Sequence, residues 1–301
     1  MPTRPKVSAC IPVYNPGDFL QSAIVSVLAQ DFKDFELIIV DDCSTQPTEA
    51  VIAEFDDERL SFRRNSRNLG LVGNWNRCLG LAQGVYVTIF HQDDIMHPSN
   101  LRRKVEALDA NPDAGFAYSN IQRIDATGQI VGGHWLPQPP SDTVLSGDDM
   151  FAMIASLGNP ISCPSVMARR ECYQRLGFFD VRLPFTADLE MWMRISTVYK
   201  AVYIAEPLIL QRVHSGQETT RFQGTGRDYR DVMRAFDIVC SRHLSSVQNA
   251  LMSKAYKTLS TQAFMMARWK FRQGQISNGL RYSAVAVGAF RRSITACGIK
   301  G

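Results

Sequence analysis

Apolar residues in the first third of the chain switch between two periods. Residues 6–14, KVSACIPVY, form one continuous β-branched run. Phe19, Leu20, Ala23, Ile24, Val27 and Leu28 then recur at helical spacing. A second run, FELIIVDD at 35–42, precedes a Ser-Thr-Gln-Pro turn and a helical stretch at about 47–56. LSFRRN (60–65) reads as a third strand, and Val72, Trp75, Leu79 and Ala82 mark one face of a third helix. A strand at 85–90 follows, and then a helix with Leu101, Val105 and Leu108 inward and Pro112 beyond its end. This rhythm predicts an α/β fold with right-handed crossovers and a mostly parallel sheet flanked by helices.

Past residue 115 the rhythm changes. GFAYSNIQRID and QIVGGHW flank Ala-Thr-Gly, a hairpin signal, and WLPQPPSD is a proline-rich loop. Short helical and extended pieces alternate to about residue 220. From 226 to 296 nearly everything reads as helix, broken most clearly at RQGQISNG. The expected organisation is a main domain over 1–225, with halves 1–115 and 116–225, and a helical extension over 226–301.

In an open parallel sheet, ligands gather outside the carboxyl ends of the strands. Three strands end there in polar groups: Pro12-Val13-Tyr14-Asn15, Asp41-Asp42 and His91-Gln92-Asp93-Asp94. Paired carboxylates at a strand tip repel each other, so a cation or hydrogen-bond donors must offset them. Hard divalent cations such as Mn²⁺ or Mg²⁺ take oxygen ligands of this kind and hold a diphosphate in turn. The other reading is ordinary capping of the helices that follow.

Charge adds an asymmetry. The chain carries net +4, yet residues from 226 onward hold 13 Lys and Arg against 3 Asp, about +10. That tail either solvates helical faces or touches an anionic membrane surface. Seven scattered cysteines without a CxxC pair point to reduced thiols in the cytoplasm. No apolar run is long enough to span a bilayer, and the N-terminus lacks a signal-peptide core.

The segments VSACIPVYNPGDFLQSAIVSVLAQDFKDFELIIVDDCST, NLGLVGNWNRCLGLAQGVYVTIFHQDDIMHPSNL, GNPISCPSVMARRECYQRLGFFDVRLPFTADLEMWMRI and EPLILQRVHSGQET stand in the order found in family 2 glycosyltransferases. Together they resemble that family over about residues 5–220. The resemblance implies a GT-A fold, a nucleotide-diphosphate-sugar donor (a UDP-sugar favoured), a divalent metal (Mn²⁺ or Mg²⁺) and inversion at the anomeric carbon. It implies nucleotide binding by Pro12, Tyr14, Asn15, Asp41, Asp42, Gln92 and Asp93, with Asp42 on the base and Asp41 in support. Asp93 corresponds to the metal-binding carboxylate of the family's D-x-D pattern, with Asp94 beside it. His91 replaces the first Asp of that pattern, so coordination rests mainly on Asp93, and His214 is a further metal or diphosphate candidate with Arg212 behind it. Asn74 and Arg77, opening the third helix, are donor-side candidates.

Asp188, four residues before Trp192, falls where the family places its general base, and Ala187 replaces the usual acidic neighbour. Glu190 is the alternative base, although two residues further along a helix it faces away. Asn159, Ser162, Ser165 and Trp192 are expected on the acceptor side, and Trp135 is a second candidate for stacking on a sugar. The expected partners are a nucleotide-sugar donor, a glycan or lipid-linked acceptor in cell-envelope polysaccharide biosynthesis, and the inner face of the cell membrane. No nucleic acid is expected. Two alternatives are a nucleotidyltransferase, which lacks its basic Gly-rich loop in PVYNPGD, and a catalytically impaired binding or scaffolding protein.

Overall fold

A computed structural model describes residues 4–217, 222–242 and 244–295. Glu218 and Thr219 of the last resembling segment, and Cys297 and Lys300 of the tail, lie outside the described residues. Two compact units emerge. The first holds Met1–Ser146, Pro160–Phe179 and Tyr199–His214; the second holds Gly147–Asn159, Asp180–Val198 and Ser215–Gly301.

The first unit is built on a mixed sheet. Its strands are β1 (Val7–Val13), β2 (Phe35–Asp41), β3 (Leu60–Arg64), β4 (Tyr86–Ile89), β5 (Ile95–Met96), β6 (Ala114–Ile124), β7 (Ile130–Gly132), β8 (Thr143–Leu145), β9 (Val166–Arg169) and β10 (Lys200–Arg212). The main path runs β3-β2-β1-β4-β9-β6-β10-β5, and β7 and β8 pair off it with β6 and β10. The β1–β4 portion is parallel, as is the β6–β10 pair, whereas β9 is antiparallel to both β4 and β6. The parallel character expected from the first half thus holds there and gives way where β9 enters from the acceptor half. The predicted hairpin is present as β6–β7.

Helices α1 (Leu20–Leu28), α2 (Thr48–Ile52), α3 (Leu71–Leu81) and α4 (Asn100–Asp109) follow strands in turn. Alternate residues of β1 divide between the two faces of the sheet. Val7, Ala9, Ile11 and Val13 join Leu20, Ile24 and Leu101 in one buried cluster, while Cys10 Sγ approaches the Cys78 carbonyl of α3 on the other face. Each such aliphatic side chain stabilises the fold by about 1.5–3 kcal/mol. Helix α2 stops four residues before the expected end. Glu54, Asp56, Asp57 and Glu58 follow it, and acidic groups at a helix C-terminus oppose its dipole. Pro12 is tolerated inside β1 because the Cys10 carbonyl, which shares its orientation, receives Phe90 N, and β4 ends at Ile89. The missing N–H therefore falls where no ladder partner exists.

α6 (Arg170–Leu176) closes the helices of the first unit, and the second unit is helical. It contains α5 (Gly147–Leu157), α7 (Ala187–Ser196), α8 (Arg227–Cys240), α9 (Ser246–Arg272) and α10 (Ile276–Thr295). A capping box starts α9, with Ser245 and Gln248 exchanging hydrogen bonds at 3.1 Å. Gly274, at φ +72°, turns the chain at the break between α9 and α10. The two helices then run antiparallel, tied by Ser260 Oγ to the Ala286 carbonyl and Ser253 Oγ to the Ser293 carbonyl. A Cβ on Gly279 would sit 2.5 Å from the Phe271 ring, which would have to shift to admit it.

Candidate active site

The strand ends of the first unit converge on backbone and carboxylate groups. Beyond β1, Asn15 adopts φ +44° and its side-chain oxygen accepts from Thr45 N at 2.9 Å, tying the β1 exit to the β2 exit. Gln92 brackets Tyr14 from the β4 exit, accepting from its N at 2.9 Å and donating to its carbonyl at 3.2 Å. The Tyr14 ring remains exposed. Pro12 is buried within the strand and frames this edge without presenting itself.

Asp41 and Asp42 are both buried. Asp41 accepts from the Ser44 hydroxyl, from Ser44 N at 3.2 Å and from Thr48 Oγ1 at 3.3 Å. Asp42 accepts from Asn65 Nδ2 and Leu69 N at 2.8 Å and from Gly70 N at 2.9 Å. Asp42 therefore shapes the loop that leads into α3, and Asp41 the turn that leads into α2. Asn74 is likewise committed inward, donating to the Val40 carbonyl at 2.9 Å while accepting from Asn65 Nδ2 at 3.0 Å. The expected anion contact by Asn74 is replaced by a bracket across β2 and its loop. Arg77, one turn on, is exposed.

His91, Asp93 and Asp94 each offer a ligand atom, all within 4.8 Å of one another. Asp94 is 1% exposed; its Oδ1 accepts from Arg212 N at 2.8 Å, and its Oδ2 lacks a hydrogen-bond partner among the described residues. Burial, reinforced by the neighbouring Asp93 charge, holds the Asp94 carboxyl well above the usual carboxylate range. Burial depresses His91, whose ring stacks on Trp75 at 5.9 Å and whose Nε2 is also unpartnered among the described residues. Asp94 Oδ2, buried without a hydrogen bond among the described residues and 3.8 Å from His91 Nδ1, fits a divalent cation shared with Asp93. His214 Nε2 lies 2.9 Å from Asp93 Oδ2, so His214 reaches this cluster through Asp93.

Arg212, expected near a diphosphate, is instead 5% exposed. Its guanidinium donates to the carbonyls of Asp93, Asp125 and Ala126 and lies 4.5 Å over the Phe19 ring. It anchors the Asp93–Asp94 turn to β10. His91, which stands in place of the first Asp of the D-x-D pattern, lies in one cluster with Asp93 and Asp94. Phe19 and Trp75, which pack on the two histidines, carried no signal beyond core periodicity.

In the second unit, Asp188 is the second residue of α7. Its Oδ2 accepts from Asn159 Nδ2 at 2.7 Å and its Oδ1 from Leu189 N at 2.8 Å. Burial pushes the carboxyl up to about 6, a value suited to accepting a proton near neutral pH. Glu190 cannot compete. It is fully buried and ion-paired with Arg194, with Arg242 Nη2 at 3.5 Å. The start of α7 is held by Asp231 of α8, whose Oδ2 accepts from Phe185 N and Thr186 N at 2.9 Å and Thr186 Oγ1 at 3.0 Å. Asp231 went unnoticed in the sequence because it lies over forty residues away with no local motif.

The remaining acceptor-side candidates divide. Asn159 orients Asp188. Trp192 is 1% exposed, so its ring packs in the core and is not offered to a sugar. Ser165 is fully buried with its hydroxyl donating to the Ser162 carbonyl at 2.7 Å, which closes the turn before β9. Ser162 is 3% exposed, and the Trp135 ring, in the first unit, is exposed against His134.

The glycosyl transferase family 2 profile matches residues 8–169. A glycosyltransferase of Rickettsia prowazekii is 27% identical over 240 residues, covering 77% of this chain and 71% of its own. The succinoglycan biosynthesis protein ExoO of Rhizobium meliloti is 34% identical over 127 residues, 42% of this chain and 36% of its own. Among solved structures, S. aureus TarS in complex with UDP-GlcNAc superposes with a TM-score of 0.73 at 17% identity, over 97% of this chain and 82% of that one. The mannosyltransferase PcManGT of Pyrobaculum calidifontis, in complex with GDP-Man and Mn²⁺, gives 0.60 at 15% identity, over 97% and 88%. With more than half its length matched by the family profile, this chain belongs to glycosyl transferase family 2 and is a glycosyltransferase of GT-A fold.

Proposed function

We propose that the protein transfers a sugar, with inversion, from a nucleotide-diphosphate-sugar donor to a hydroxyl of a glycan or lipid-linked acceptor. Asp94 Oδ2, buried without a hydrogen bond among the described residues beside Asp93 and His91, carries this reading, because it supports a cation-binding end to β4. Asp93, Asp94 and His91 would hold a divalent metal, Mn²⁺ or Mg²⁺, with His214 tuning Asp93 as its hydrogen-bond partner. Such a metal, when bound, neutralises charge on the leaving diphosphate. Mn²⁺ in the mannosyltransferase neighbour supports that assignment.

The chain's own residues do the rest. Tyr14 stacks on the nucleobase, and Asp42 with the Asp41 turn sets the backbone around base and ribose. Asp188, held by Asn159 and Leu189 N, takes the acceptor proton as its oxygen attacks the anomeric carbon. One displacement with one base inverts the configuration. UDP-GlcNAc in TarS supports a UDP-sugar donor, and the place of ExoO in succinoglycan biosynthesis supports a polysaccharide acceptor. We assign residues 1–225 to catalysis and 226–301 to an extension that braces α7 through Asp231 and works at the cytoplasmic face of a membrane.

A donor-release screen tests this reading. Purified protein with Mn²⁺ or Mg²⁺ meets UDP-, GDP- and dTDP-sugars, and nucleoside diphosphate is the readout. Release from a UDP-sugar, lost in Asp93→Ala, is the expected result. Release from no donor, or equal release in Asp93→Ala, would overturn it.

A further inference from the structure

Helix α10 is apolar on two neighbouring faces. Gly279, Tyr282, Val285, Ala286 and Ala289 point inward, as packing against α9 requires. Ile276, Leu280, Val287, Phe290 and Ile294 form a second stripe at spacings of 4, 7, 3 and 4, and each is between 53% and 65% exposed. A surface helix normally carries polar residues there. At the α9 side the stripe borders a groove in which Val247, Lys254 and Lys257 meet Phe290 and Ile294. Phe264, Met265 and Trp269 of α9 are exposed as well.

Charge on the same hairpin is one-sided. Between Ser246 and Thr295 there are eight Lys and Arg and no Asp or Glu. Lys254, Lys257, Arg268 and Arg291 are exposed, while Arg292 pairs with Asp237 of α8. No described helix is long and apolar enough to cross a bilayer.

We propose that the α9–α10 hairpin is an interfacial surface that seats on an anionic lipid bilayer, with the Ile276–Ile294 stripe in the acyl boundary and the lysines at the headgroups. Large aliphatic side chains interspersed with cations, without acids, match a charged interface that is apolar just beneath. A nucleic acid would leave the aliphatic stripe unused. A second copy docked through the same face would bring two like-charged hairpins together with no carboxylate to pair them. The inference deepens the proposed function, on which a lipid-linked acceptor rests, by naming the face that brings the enzyme to it.

The test is co-sedimentation of the full chain with phosphatidylglycerol–phosphatidylcholine vesicles and with phosphatidylcholine alone. Binding to the anionic vesicles that weakens with salt is expected. Lys254→Gln/Lys257→Gln should weaken it about thirtyfold, and Leu280→Ser/Phe290→Ser should weaken it at every salt concentration. UDP binding, measured on the same samples, should be equal in all three proteins, so loss of the donor reading and loss of the lipid reading are separately visible. Wild-type protein that stays in the supernatant, or variants that sediment like wild type, would overturn the proposal. So would a dimer by light scattering that Leu280→Ser/Phe290→Ser converts to monomer without any change with lipid.

Discussion

Asp188 is set apart from the other carboxylates of the second unit by what surrounds it. Glu190 and Asp231 are spent on Arg194 and on backbone N–H groups, whereas Asp188 has one side-chain donor, Asn159, and is partly exposed. Because burial raises its pKa to about 6, the carboxyl is protonated and unable to act as a base below that pH. Acceptor-dependent transfer should therefore fall about tenfold per pH unit below about 6 and be level above it. An ordinary carboxylate base would hold its rate down to about pH 4. Asp188→Asn should lower acceptor-dependent transfer by about 10²–10⁴-fold with nucleotide binding unchanged; a rate within a few fold of wild type would remove Asp188 from the role. The family resemblance, on the spacing from Trp192, is what singles out this residue in the sequence. What the sequence hides is which distant groups hold each acid, since Asn159 reaches Asp188 and Arg242 reaches Glu190 from far along the chain.

At the scale of elements, α7 is placed by a contact from the C-terminal extension. Asp231 satisfies Phe185 N and Thr186 N in the turn that leads into α7. Asp231→Ala would strand them in a buried setting at a cost of about 1–3 kcal/mol. Thermal denaturation should show that loss, and acceptor-dependent turnover should drop with it, while Asp231→Asn, which keeps an accepting oxygen, should recover most of both. An unchanged midpoint in Asp231→Ala would mean that α7 is positioned by packing alone. The parallel β1–β4 elements were readable because strand and helix periods alternate with short connections. The insertion of β9 between β4 and β6 was not, because its pairings to Val87 and Phe116 join segments about fifty to eighty residues apart. The same limit applied to Asp42. Its pairing with a strand-end neighbour was plain, but its bonds to Leu69 N and Gly70 N appear only once the loop before α3 folds back over β2.

For the whole molecule, charge and chemistry separate along the chain. Residues up to 225 carry the acidic strand ends, and the tail carries about +10. The Asp41-Asp42 end is satisfied by donors of its own loops, whereas the His91-Asp93-Asp94 end keeps a buried carboxylate oxygen that a cation and a diphosphate would complete. Titration calorimetry of UDP into wild-type protein and Asp93→Ala, each with Mn²⁺ and with EDTA, tests that completion most directly. The account predicts binding to wild type that requires Mn²⁺ and is lost in Asp93→Ala. Binding of equal strength in EDTA and in Asp93→Ala would contradict it.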